Sequence, residues 1–243
     1  MPAMREGARE EGGSTAERRA DPDPAALHPL PERDPRVALV LGALAYGERC
    51  GAERSSEAVR LAPDNRSRLV QQQVADREWR NCALIEARLH ELGGEGETDR
   101  FRPFFDAFFQ RTRPGNWVEA QTFHYVGDAL VSDFADVLVP RVDPVSAEIV
   151  RRTLGDREDL ETFALDELTR TLSDDPGASE AIRRYSERII GEAFTQTGRA
   201  LEAVEGLRSL LEGGPGTTRL VVELLERHRV RLDRLGIEPV EEE

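Results

Sequence analysis

Five acidic side chains interrupt otherwise apolar helical faces. They are Glu48 in LGALAYGERCGAE, Glu78 in VADREWRNCALIEARL, Asp128 in HYVGDALVSDF, Asp156 in RRTLGDREDLETFAL and Glu192 in ERIIGEAFTQ. A carboxylate inside a helical core costs several kcal/mol unless a metal ion, a proton or a cation neutralises it. Helices that each turn one carboxylate inward form the skeleton of a carboxylate-bridged dimetal site. The alternative for any one acid is a position facing water or one of the many arginines. Recurrence on helix after helix weighs against that alternative for the whole set.

Residues three and four positions apart share a helix face, so each acid can be read through its neighbours. Glu48 has Leu44, Ala45 and Ala52, Glu78 has Val74, Asn81 and Cys82, and Asp128 has His124, Tyr125, Val131 and Ser132. Asp156 has Thr153, Asp159 and Leu160, and Glu192 has Ile189 and Gln196. Small and polar residues beside the acids suit a core that leaves room for ions, water or substrate. His124 lies one turn before Asp128 and can join it, or can be a hydrogen-bonded core histidine. Tyr125 is a candidate proton or radical relay, with an ordinary half-buried tyrosine as the alternative. His90 and His228 fall toward helix ends and are expected to face solvent. Cys50 and Cys82 are expected as small buried thiols that face each other across two helices, with a redox or ligand role as the alternative.

The elements that carry these groups read as helices. Asp34-Pro35 is an N-cap followed by proline, opening a first helix to about Leu61 with Val37, Leu41, Leu44, Ala45, Glu48 and Ala52 on one face. A second starts at Pro63-Asp64, turns Leu69, Val74, Glu78, Ile85 and Leu89 inward, and stops at Gly93-Gly94. FRPFFDAFFQ forms a packing helix in the crossover. Asn116 with Glu119 makes a capping box for a third long helix through Val139. Asp143-Pro144 opens a fourth to about Leu172, and Asp175-Pro176 a fifth that ends at Gly213-Gly214-Pro215-Gly216. A last amphipathic helix covers Thr217 to Leu235, where Val221, Leu225, His228, Leu232 and Leu235 form a stripe that packs on the bundle or on a second copy. Residues 1–33, rich in Gly, Pro, Glu and Arg, read as a disordered tail, residues 34–237 as the helical domain, and residues 238–243 as an acidic end.

Composition bounds the function. The 243 residues are 39% hydrophobic, 33% charged and 6% aromatic, as in a globular protein rich in amphipathic helix. All 33 basic residues are arginine, which excludes a Walker-type loop and any lysine nucleophile or base. A net charge of −14 argues against a nucleic-acid partner. No apolar run approaches the roughly 18–20 residues of a membrane span, and the first residues lack a secretory apolar region. Two cysteines make no disulfide framework, so a cytoplasmic location is expected.

LGALAYGE, then the helix bearing Glu78, then YVGDALVSDF, LGDRED and RIIGEAF resemble actinobacterial ferritin-like proteins. These are related to the tRNA isopentenyladenosine hydroxylase, a non-haem diiron monooxygenase. The resemblance spans about residues 36–237, including ELLERHRVRLDRLGI near the end. It implies an all-α, ferritin-like four-helix bundle with additional C-terminal helices. It also implies a metal shell of Glu48, Glu78, Asp128 and Asp156. At the two positions where such proteins carry histidine, this chain has Asn81 and Asp159. Loss of both imidazoles leaves an all-oxygen set with surplus negative charge.

Two function classes follow. One is an oxygenase or hydroxylase with a dinuclear iron centre, manganese being the alternative metal. It would act on a small organic substrate with an electron donor that the sequence does not name, with Glu192, His124 and Tyr125 around the reacting centre. The other is a metal-free descendant that uses the bundle pocket for acid/base catalysis or for binding a ligand or partner. Iron storage is a third class, disfavoured because nothing in the sequence suggests a self-assembling cage.

Overall fold

The computed structural model describes residues 29–155, 157–210 and 216–238. Helix α1 (Pro35–Ala58) starts where Asp34 accepts the Arg36 amide, and α2 (Asn65–Leu92) where Asp64 accepts that of Ser67. Each cap meets an amide that has no partner within its own helix. Gly93, at φ 70°, closes α2 in the left-handed conformation that glycine adopts without strain. The crossover contains α3 (Glu97–Arg111), the expected phenylalanine-rich helix. Then α4 (Trp117–Thr122) begins at the Asn116 cap, passes through a π-helical turn at Phe123–Asp128 and continues as α5 (Ala129–Leu138).

The sequence predicts one helix from Asp143 to about Leu172, and the structure corrects this. Helix α6 (Pro144–Leu154), capped by Asp143, ends at Gly155, and α7 (Glu158–Asp174) starts anew. The break lifts Arg157 out of any regular helical face. Helix α8 (Ala178–Ala203) is also shorter than predicted. Val204 turns extended (φ −99°, ψ 103°) because its side chain buries beside Tyr46, Phe101 and Cys50, and Gly206 follows at φ 86°. The predicted end of that helix at Gly213-Gly214-Pro215 lies outside the described residues. Helix α9 (Gly216–Arg234) packs back on the bundle.

Among the described residues the chain is all helix and turn, an all-α helical bundle. One apolar core joins α1, α2, α5 and α6 through Leu41, Ile85, Leu89 and Val150. A second joins α4, α5, α7, α8 and α9 through Tyr125, Leu168, Ile189 and Leu224. Arg88, buried on α2, ties Asp143 (3.2 Å), Ser146 (3.2 Å) and Glu32 (2.8 Å) together. Leu30 is also anchored, donating to the Arg141 carbonyl at 2.8 Å, so ordered contacts begin before residue 34. Residues 1–28 of the expected tail and residues 239–243 of the acidic end lie outside the described residues.

Several side chains depart from their predicted faces. Leu69 is exposed on α2, while Val74, Ile85 and Leu89 are buried as expected. On α9 the buried stripe is Leu220, Leu224, His228 and Leu232, with Leu225 exposed. His228 is therefore buried instead of facing solvent, whereas His90 is exposed. Cys50 belongs to the cluster of Tyr46 and Phe101, while the Cys82 thiol donates to the Ala45 carbonyl at 3.4 Å. Both are free thiols. No helix among the described residues is long and apolar enough to cross a membrane.

Candidate functional site

Three of the predicted acids meet inside the bundle. Glu48 comes from the middle of α1, Glu78 from the middle of α2, and Asp128 from the last residue of the π-helical turn, and all three are buried. Gly51 makes room for Glu78: a Cβ at that position would lie 3.0 Å from Glu78 Oε1. A π turn inserts an extra residue into the helical register, which re-aims the side chains it contains, and such turns are frequent at functional sites.

Arg157, from the break between α6 and α7, reaches into this group. Its Nη2 donates to Glu48 Oε1, and its Nη1 lies 3.9 Å from Asp128 Oδ1. Asn81 donates its amide to Glu48 Oε2 (3.2 Å) and to the Thr153 carbonyl (2.9 Å). Ser55 donates its hydroxyl to Glu78 Oε2 at 2.7 Å. His124, buried one turn before Asp128, contacts Asp128 Oδ2 through Nδ1 and Gln71 Oε1 through Nε2, both at 2.9 Å. The polar groups thus line up from Gln71 on α2 through the π turn and Arg157 to Glu48 on α1.

The electrostatics follow from burial. Burial pushes the Glu78 carboxyl up to about 8, and the charges of Asp128 and Glu48 add to it against Arg157 and the Ser55 hydroxyl. Glu48 is raised by burial too, opposed by Arg157 and Asn81. Burial alone would lower the pKa of Arg157. The charges of Glu48, Asp128 and Glu78 outweigh it, so the guanidinium is held protonated. The site thus sets the Arg157 guanidinium among three carboxylates, and burial favours the protonated forms of Glu48 and Glu78.

The other predicted site residues lie elsewhere or outside the description. Glu192 is on the far side of α8's buried stripe, where it pairs with Arg111 of α3 at 3.1 Å and accepts from Gln196 at 3.2 Å. The side-chain direction explains its departure: Ile189 and Ile190 take the inner face, and Glu192 is left at the rim. Tyr125 is fully buried in the second apolar core, its hydroxyl donating to the Arg231 carbonyl at 3.0 Å, so it holds α9 in place. Asp159 is exposed in the first turn of α7, and Asp156 lies outside the described residues. Among the described residues, no group of three or more His, Cys, Asp and Glu side chains is arranged to hold a metal ion.

Arg157 and Gln71 were not singled out from the sequence. A signal for Arg157 existed: it is the single basic residue in LGDRED, next to the acid Asp156. A buried acidic centre calls for a cation to balance its charge.

Long helices packed around a buried carboxylate centre define a ferritin-like helical bundle. The chain belongs to the family described as Ferritin-like domain, actinomycetes, whose family model matches residues 32–214. No curated protein matches it.

Proposed function

We propose that this ferritin-like domain works without a metal centre, as a small-molecule-binding member of its family. The observation that carries the reading is the guanidinium of Arg157 against Glu48 and near Asp128, in the midst of the carboxylates that would otherwise bridge two metal ions. A guanidinium does not give up its proton in a protein, so it supplies the positive charge permanently. His124 and Asn81, the nitrogen-bearing side chains beside the acids, are engaged with protein groups. Both His124 nitrogens are in hydrogen bonds, and the Asn81 amide donates where an imidazole would coordinate. As arranged, these side chains do not fit a dinuclear iron or manganese centre.

The convergence of Glu48, Glu78 and Asp128 favours the second reading, an oxygenase of the diiron type like the tRNA hydroxylase that the sequence resembles. Metal analysis of the full-length protein, purified from cells supplemented with iron or manganese, separates the two. The proposal expects no stoichiometric metal in the wild-type protein. It also expects iron uptake in the Asn81→His, Arg157→Ala double variant, which adds an imidazole beside Glu48 and removes the cation. Stoichiometric iron in the wild-type protein, lost in Glu78→Ala, would establish the oxygenase reading instead.

A further inference from the structure

A cavity of about 200 Å³ lies between α1, α3, the π turn with α5, and α8. It borders Leu44 on α1, one turn before Glu48, and Gly127 and Val131, which flank Asp128. Its wall is otherwise separate from the carboxylate centre. Phe101, Phe104, Phe105 and Phe108 of α3 form one side. They explain the FRPFFDAFFQ segment, whose phenylalanines other than Phe101 are incompletely covered by protein. Apolar cavities of roughly 150 Å³ already take up a benzene-sized guest.

The polarity of the lining selects the ligand. Among the described residues, Gln196 and Thr197 on α8 are the polar ones, and both are neutral. The Gln196 amide nitrogen is already used on Glu192, whose negative charge stands just behind it at the rim. An anionic head group at this wall would face that carboxylate and surrender its hydration to an apolar pocket. Arg111 outside the rim is paired with Glu192 and does not line the cavity. A neutral hydroxyl can instead bond the Gln196 carbonyl oxygen or the Thr197 hydroxyl while its hydrocarbon body meets the phenylalanines.

We infer that the cavity binds a neutral, hydrocarbon-bodied molecule with a single hydrogen-bonding end of the alcohol type, held head-first against Gln196 and Thr197. This rests on the reading of the domain as a small-molecule binder.

Calorimetric titration of the full-length protein with straight-chain 1-alkanols from hexanol to decanol tests the inference, with the alkanoates of equal length as the comparison. Alkanol affinity should rise about fourfold per added methylene until the cavity is full and then level off. Matched alkanoates should bind at least about tenfold more weakly. Ala200→Phe and Ala193→Phe each fill the cavity from α8 and should weaken alkanol binding about tenfold. Circular dichroism shows which of the two remains folded, and Ala193 is the more exposed position. Thr197→Val with Gln196→Leu should remove the preference for alkanols over alkanoates without closing the pocket. The inference fails if alkanols do not bind, if alkanoates bind equally well, or if a folded cavity-filled variant binds as the wild type does. The metal content of the same samples is read alongside. Bound iron with intact alkanol binding would overturn the metal-free reading alone, and alkanol failure in metal-free protein would overturn this inference alone.

Discussion

Arg157 and Glu48 stand 109 positions apart in the chain, and in the fold the guanidinium of one donates to the carboxylate of the other in the bundle interior. Removing one partner of a buried ion pair leaves the other charge without compensation, which costs far more than the pair contributes net. Arg157→Ala should therefore destabilise the protein by about 3–5 kcal/mol in urea unfolding. Combining Arg157→Met with Glu48→Gln should recover much of that loss, because neither charge then remains. A loss below about 1 kcal/mol in the single variant would mean that water reaches the pair freely.

Glu78 gives the stability curve a slope with a definite sign. Its carboxyl titrates at about 8 in the folded chain against an ordinary 4.5. The folded state therefore holds the proton more tightly. The stability this provides is complete below 4.5 and is lost as pH rises toward 8. Glu78→Gln keeps the shape but cannot ionise, so it should remove most of that decline across the window. His228 acts in the opposite sense. Burial, with Arg231 adding to it, pushes its pKa down from 6.5 to about 4, so its contribution is lost as pH falls through that interval. Taking wild type minus Glu78→Gln at each pH separates the two, and equal slopes in both proteins would contradict a buried Glu78.

Glu192 should be dispensable. It sits at the rim with Arg111, partly exposed, and surface pairs of this kind contribute little. Glu192→Ala should change stability by no more than about 0.5 kcal/mol and leave alkanol binding within about twofold of wild type. A loss above about 2 kcal/mol would tie it to the interior network.

Burial pushes the thiols of Cys50 and Cys82 up to about 12. Thiolate is the reactive form, so both should resist a thiol reagent at pH 8 in the folded protein and react together on unfolding. The Cys50→Ala, Cys82→Ala variant should retain alkanol binding. Fast labelling of either thiol in native protein would show that its cover opens readily.

Much of the scaffold could be read from local chemistry. Asp34, Asp64, Asn116 and Asp143 were predicted as caps and act as caps, because an Asx side chain before a helical run satisfies amides a few residues away. Gly93 ends α2 for an equally local reason. The inward direction of Glu48, Glu78 and Asp128 followed from helical periodicity, which needs no knowledge of neighbouring helices. Periodicity misplaced Glu192, Leu69 and Leu225 even on regular helices, because which face turns inward is set by the neighbouring helices. It was also blind where the backbone leaves the regular helix. It did not foresee the π turn that holds His124 and Asp128 together, the break at Gly155, or the early end of α8 at Ala203.

What the sequence by itself determined is a bundle of capped helices with acids on their inner faces, since capping and amphipathicity are properties of segments. What neutralises those acids was decided by the tertiary structure. Arg157 reaches Glu48 only because the chain breaks between α6 and α7 and directs the guanidinium inward across 109 positions. Coulomb attraction in a buried site depends on separation in space, and no spacing along the chain encodes that distance.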